Sequence, residues 1–161
     1  MAIHKLILDD VFDEVPCTLI AIHCSLEDYR LAYLLNKNLK ISLKRRSKDL
    51  DYFNDKSTYA IFEWEDCKQL ITWSLVSNTS KNKILSETAM GSLFETAEQI
   101  SQTSYLIPEN KSVNYFLKID SPLEFTEEKQ LLKTILDSSQ ITTAYSIDAS
   151  QLKSKDNLIF N

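Results

Sequence analysis

Apolar and β-branched residues run almost without a break through residues 17–24, Cys-Thr-Leu-Ile-Ala-Ile-His-Cys, between Pro16 and Ser25. A short run of this kind predicts a buried strand. Beyond it the spacing lengthens. Leu31, Leu34 and Leu35, flanked by Tyr29, Ala32 and Leu39, form a stripe at helical period, so a helix is predicted to about Asn38. Ser25 followed three residues later by Asp28 resembles a capping box. Glu27 and Asp28 suit the positive N-terminal end, and Lys37 and Lys40 suit the other. Ile41 and Leu43 then alternate with Ser42 and Lys44, which predicts a half-buried strand completing a β-α-β unit.

Residues 47–57 are polar and acidic around Tyr52 and Phe53, and two alternating runs follow at 59–65 and 68–76. These read as a hairpin. With Asp66 and Cys67 as the turn, Phe62 faces Ile71 and Ala60 faces Trp73, and the four share one face. Residues 78–104 are rich in Ser, Thr, Asn and Glu, with Ile84, Leu85, Leu93 and Phe94 as their few apolar anchors. Loops with a short strand or helix are expected there. The clearest alternation in the chain is Val113, Tyr115, Leu117 and Ile119, predicted to lie on one face of a strand. A second helix follows, with Thr126 as its cap, Glu127 and Glu128 in its first turn, and Leu131, Leu132, Ile135 and Leu136 as its buried stripe. Residues 141–147 read as the last main strand, with Ile141, Thr143, Tyr145 and Ile147 on one side. Leu158, Ile159 and Phe160 predict a tail that docks.

Strand, capped helix and strand thus occur twice, around residues 17–44 and 113–147. The predicted fold is α+β: a mostly antiparallel sheet with two helices on one face, a ferredoxin-like or split β-α-β pseudo-repeat with an inserted β-meander. One domain over residues 1–161 is expected, with the other sheet face partly open for binding.

Composition narrows the function classes. The chain has 161 residues, 43% hydrophobic and 25% charged, which argues against disorder and against a membrane span. Its net charge of -5 gives no global attraction to nucleic acid or anionic lipid. The start of the chain lacks the basic and apolar pattern of a secretory leader, and the apolar run at 15–24 is broken by Pro16; a cytoplasmic location is expected. Cys17, Cys24 and Cys67 are odd in number and unpaired in spacing, so buried reduced thiols are expected. Asn78-Thr79-Ser80 and Asn110-Lys111-Ser112 fit the N-glycosylation pattern but lack the secretory context that would give it meaning. Gly91 is the only glycine, where average usage would give roughly eleven. Dinucleotide fingerprints, phosphate-cradling loops and nucleophile elbows need several glycines and are excluded.

Ile107-Pro108-Glu109, followed after three residues by Val113-Asn114-Tyr115-Phe116, resembles the bacterial IPExxxVDY family, named for this motif. The resemblance implies kinship over most of the chain but no mechanism, since that family has no assigned activity. Asn114 stands where the pattern has Asp, which weakens any acid–base or metal role at this position. Pro108 suits a strand entry, with its fixed φ and missing N–H donor. The motif therefore reads as a shaped turn leading into a core strand, with Tyr115 buried and its hydroxyl meeting Glu109 across the turn.

His23 and Cys24 are neighbours on a strand, so their side chains point to opposite faces and cannot form a nucleophile–base pair. His4 has no partner nearby in sequence, and no zinc spacing is present. The carboxylates Glu63 and Glu65, and the group Asp9, Asp10, Asp13 and Glu14, read as solvated faces. No catalytic residue, metal ligand or cofactor is nominated. The sharpest electrostatic feature is Lys37, Lys40, Lys44, Arg45, Arg46 and Lys48, with no acid between Asn36 and Ser47. Such a segment can meet RNA or an acidic partner, with Tyr52 and Phe53 as nearby aromatics, or can serve as a solvated helix end and guarded strand edge. The leading expectation is a non-catalytic cytoplasmic binding or adaptor domain for a protein partner whose identity and stoichiometry the sequence does not specify. The alternative is an RNA- or ribosome-associated protein using residues 37–48. An enzyme with a site assembled from distant residues comes third.

Overall fold

The apolar run of residues 17–24 becomes β1 (Thr18–Cys24), an inner strand of a six-stranded sheet, in a computed structural model that describes residues 16–52, 57–85 and 99–160. The first half continues with α1 (Asp28–Leu39), β2 (Lys44–Arg45), β3 (Leu50–Tyr52), β4 (Ser57–Tyr59), β5 (Ile61–Asp66) and β6 (Ile71–Ser77). The second half holds β7 (Thr79–Leu85), β8 (Gln99–Tyr105), β9 (Tyr115–Ile119), α2 (Phe125–Leu136) and β10 (Ile141–Ile147). The main sheet runs β10-β1-β9-β6-β5-β2 and every pairing is antiparallel; β3 with β4 and β7 with β8 form two small ribbons. No helix among the described residues is long and apolar enough to cross a membrane.

Alternation along the strands feeds two apolar clusters. On one face Ile20, Ile22, Phe62, Leu75, Leu117 and Ile119 meet Leu31 and Leu35 of α1 and Leu131 and Ile135 of α2. Both helices therefore cover the same face, as the sequence predicts, and the α+β class holds. On the other face Leu19, Ala21, Ile61, Val76 and Phe116 pack under Leu50, Tyr59, Leu106, Ile107, Leu152 and Leu158. Burial of each such side chain contributes about 1.5–3 kcal/mol. The docked tail is part of this second layer: Leu158 is buried, and the Asn157 side-chain amide donates to the Leu106 carbonyl at 2.8 Å.

Several local expectations are corrected. α1 starts at Asp28 behind Glu27, so Ser25 is not its cap, and it ends on Lys40 in the left-handed region at φ 56°. That position usually favours glycine; here a lysine takes it. α2 is capped by Glu124, reciprocally with Glu127, rather than by Thr126. Ile41 and Leu43 lie outside β2, which has two residues and pairs with β5 at the far edge, so β1 and β2 are not neighbours. The Asn36 carboxamide instead ties this connection by bonding both the N–H and the carbonyl of Leu43, at 2.7 and 3.0 Å.

The β5–β6 turn spans residues 67–70, not Asp66 and Cys67. The Asp66 carboxylate accepts the Lys68 N–H, and Leu70 adopts φ 55°. Phe62 consequently pairs with Leu75 and Trp64 with Trp73, which leaves Ala60 outside the shared face. Val113 precedes β9 in a turn and packs on the second face, apart from Tyr115, Leu117 and Ile119. In β10 a bulge opposite His23 and Cys24 shifts the phase, so Ile141 and Ala144 share the helix face while Ile147 packs on the other. Cys24 is buried, but Cys67 is exposed. His4, Asp9, Asp10, Asp13, Glu14, Phe53, Gly91, Leu93 and Phe94 lie outside the described residues.

Candidate functional site

The motif folds around a residue that the sequence reading passed over. Asn78, between β6 and β7, is wholly buried. Its side-chain amide donates to the carbonyls of Asn110 and Val113, each at 2.9 Å, and its carboxamide oxygen accepts the Ile107 N–H at 2.8 Å. Its backbone N–H donates to the Asn114 carbonyl, and its own carbonyl accepts the Leu106 N–H. One carboxamide thus satisfies polar groups at both ends of the 107–113 loop, groups whose burial without partners would be costly. Between those ends Pro108–Asn110 forms a single 3-10 turn, with Pro108 at its start where a missing N–H costs nothing.

Asn114 continues the β9–β1 pairing at the end of β1: its N–H donates to the Ile22 carbonyl, and its side-chain oxygen accepts the Cys24 N–H at 3.0 Å. Tyr115 is buried on the helix face, as expected, but its hydroxyl donates to the Leu26 carbonyl at 2.7 Å and not to Glu109. Burial, reinforced by the negative groups Cys24, Asp28 and Glu27, pushes the phenol up to about 12. Glu109 faces the other way. Its two carboxylate oxygens accept the N–H and hydroxyl of Ser154, both at 2.7 Å, clamping the C-terminal segment. Desolvation raises this carboxyl, but the hydrogen bonds from the Ser154 hydroxyl and from the backbones of Glu109, Ser154 and Lys153 together hold it below the ordinary value. Of the six motif residues, Ile107, Glu109, Val113, Asn114 and Tyr115 thus sit in packing or hydrogen-bonding roles, and Pro108, which is exposed, starts the 3-10 turn.

His23 and Cys24 diverge as predicted: the His23 ring stacks on Tyr145 and lies 3.1 Å from its hydroxyl, while Cys24 enters the helix-face core. Burial raises the Cys24 thiol despite a hydrogen bond at the Leu26 backbone, and burial likewise raises Cys17. Neither thiol is tuned toward a thiolate nucleophile. Among the described residues no group of three or more His, Cys, Asp or Glu could hold a metal ion.

The basic segment is divided by the sheet edge. Arg45 crosses the Phe62 ring at 5.9 Å and reaches Asp28 at 3.3 Å and Asp49 at 3.0 Å. Arg46 pairs with Glu63 at 3.4 Å, and Lys44 lies opposite Glu63 in register. Lys37 and Lys40 belong to α1 and its cap, while Lys48 is exposed in the following turn. Both arginines are engaged with carboxylates, while Lys37, Lys40, Lys44 and Lys48 are exposed.

The outward face of α1 carries a feature absent from the expectations. Tyr29 and Tyr33, one turn apart, are 55% and 70% exposed. Lys37 continues the same stripe, opposite Leu31 and Leu35, and the exposed Lys40 follows as the C-cap. Tyr29, expected to flank the packed stripe, instead lies under the Arg30 guanidinium at 5.8 Å. The i, i+4 repeat of tyrosine opposite the leucines is visible in the sequence, but the sequence reading placed Tyr29 beside the packed stripe and left Tyr33 unassigned. Comparison of the chain with models of protein families, with curated proteins and with solved structures finds no match.

Proposed function

We propose that the protein is a non-catalytic binding or adaptor domain that engages a protein partner through the outer face of α1. The single observation that carries this reading is the pair of solvent-facing tyrosines, Tyr29 and Tyr33, continued by Lys37 and Lys40. Large aromatic rings held on a rigid helix bury much area at low entropic cost, the pattern of interface hot spots. The two lysines favour a partner with acidic groups at the rim of the contact. Kinship with the IPExxxVDY family and a split β-α-β core belong to the same reading; in it the named motif is architectural.

The second reading is RNA association, favoured by the exposed Lys37, Lys40, Lys44 and Lys48. It is the weaker one, because Arg45 and Arg46, the side chains best shaped for phosphate, already meet carboxylates. Affinity capture from native lysate, with and without nuclease, separates the two. The protein reading predicts a nuclease-resistant partner that the Tyr29→Ser/Tyr33→Ser variant loses. Loss of all captured material on nuclease treatment supports RNA, and capture unchanged by the double substitution removes α1 as the surface.

A further inference from the structure

The outer face of α1 is covered by no described element: Tyr33 is 70% exposed, and Lys37 and Lys40 are exposed after it. Strand register relates the end of that face to the start of β1. Leu19 pairs with Lys118, Lys118 with Ser74, Ser74 with Glu63 and Glu63 with Lys44, so one row of the sheet joins the start of β1 to β2. Lys40 caps the C-terminal end of α1, just ahead of Lys44. The cationic end of α1 and the point where the chain enters β1 therefore share one end of the sheet.

The residues ahead of that entry lie outside the described part of the chain, and their sequence is complementary to this face. Asp9, Asp10, Asp13 and Glu14 flank Val11 and Phe12, with no basic residue among them. Acids around a phenylalanine match lysines beside a tyrosine: the carboxylates meet the ammonium groups while the two rings bury against each other. The reach is sufficient. The row from β1 to β2 crosses four strand spacings, about 19 Å, and the chain from Cys17 back to Asp9 extends to about 26 Å.

We propose that the segment Asp9–Glu14 folds back on the C-terminal half of α1 in its own chain, with Phe12 against Tyr33 and carboxylates on Lys37 and Lys40. The tether gives even a weakly held segment a high effective concentration at this face. The segment competes there with the acidic partner and lowers the partner's apparent affinity by the fraction of chains in which the face is open. This regulation rests on α1 being the partner-binding surface.

The test compares amide-resolved NMR spectra of the full chain with those of Phe12→Ser and of a neutralised variant, Asp9→Asn/Asp10→Asn/Asp13→Asn/Glu14→Gln. Both variants should shift the amides of Tyr33, Lys37 and Lys40 at every protein concentration and leave the amide of Thr143 in place. The neutralised variant should also capture at least about threefold more partner from nuclease-treated lysate. Shifts confined to residues 9–18, or α1 shifts that grow with protein concentration as a second copy's segment would cause, would overturn the proposal while leaving α1 as the capture surface. Shifts at α1 without a gain in capture would overturn the competition. If Tyr29→Ser/Tyr33→Ser also leaves capture unchanged, α1 itself fails as the partner surface.

Discussion

The side-chain oxygen of Asn78 accepts the backbone N–H of Ile107 at 2.8 Å, so a residue at the end of β6 templates a loop that begins 29 positions later. The same carboxamide donates to Asn110 and Val113. Replacing it with alanine strands one donor and two acceptors in a buried site, each costing about 1–3 kcal/mol. Asn78→Ala should therefore destabilise the protein by roughly 3–5 kcal/mol, and Asn78→Asp by a comparable amount, since it loses both donated bonds and buries a charge. Urea unfolding of the two variants checks this; a loss under about 1 kcal/mol in both would contradict it.

Tyr115 makes a pH-dependent contribution. Its folded value near 12 lies above the ordinary 10.0, so the folded state keeps the phenol protonated where the unfolded chain has released the proton. The contribution is fully present below pH 10.0 and is lost as the pH rises through about 12. That separation corresponds to roughly 2–3 kcal/mol. Tyr115→Phe should cost about 1 kcal/mol at neutral pH through the lost bond to Leu26, yet show a shallower loss of stability above pH 10 than the parent. Denaturant midpoints across that range provide the measurement. Parallel declines in the two proteins would count against the assignment.

Glu109 has the opposite sign. Its carboxyl lies below the ordinary 4.5 in the folded state, so the clamp on Ser154 holds above that value and is lost as the pH falls through the depressed one. The protection of the Ser154 amide, its exchange rate taken relative to the intrinsic rate at the same pH, should fall on acidification, and Glu109→Ala should show the lower protection already at neutral pH. Protection at Ser154 that is insensitive to both changes would contradict the clamp.

The regular elements were legible because their apolar periods are undiluted: Leu31, Leu34 and Leu35 for α1, and Tyr115, Leu117 and Ile119 for β9. What escaped was set by side-chain bonds, backbone conformations and pairings that apolar periodicity does not encode. The four-residue turn after Asp66 depends on a side-chain bond to the Lys68 N–H and on Leu70 accepting a left-handed conformation, neither encoded in alternation. The bulge in β10 is set by its pairing with β1. Asn78 and Ile107 are too far apart in sequence for either to announce the other. In the basic segment, the pairing of Arg45 and Arg46 followed from carboxylates at Asp28 of α1, Asp49 in the connection after β2, and Glu63 of β5.

Charge reversal separates the two ends of that segment. Lys37→Glu/Lys40→Glu removes exposed cations beside Tyr33 and should reduce partner capture while shifting stability by no more than about 0.5 kcal/mol. Arg45→Glu places a third carboxylate beside Asp28 and Asp49, so it should lower stability by about 1 kcal/mol. Thermal melts and capture yields on the same preparations check both. Equal stability losses in the two variants would contradict the division.

The central claim is that α1 presents its tyrosines to a protein. The most direct measurement is site-specific photo-crosslinking in nuclease-treated lysate, with a benzophenone amino acid replacing Tyr33 in one preparation and the exposed Thr143, on the opposite sheet face, in another. A discrete protein adduct from position 33, and none from position 143, is the predicted result. Adducts of equal yield from both positions, or from position 143 alone, would contradict it.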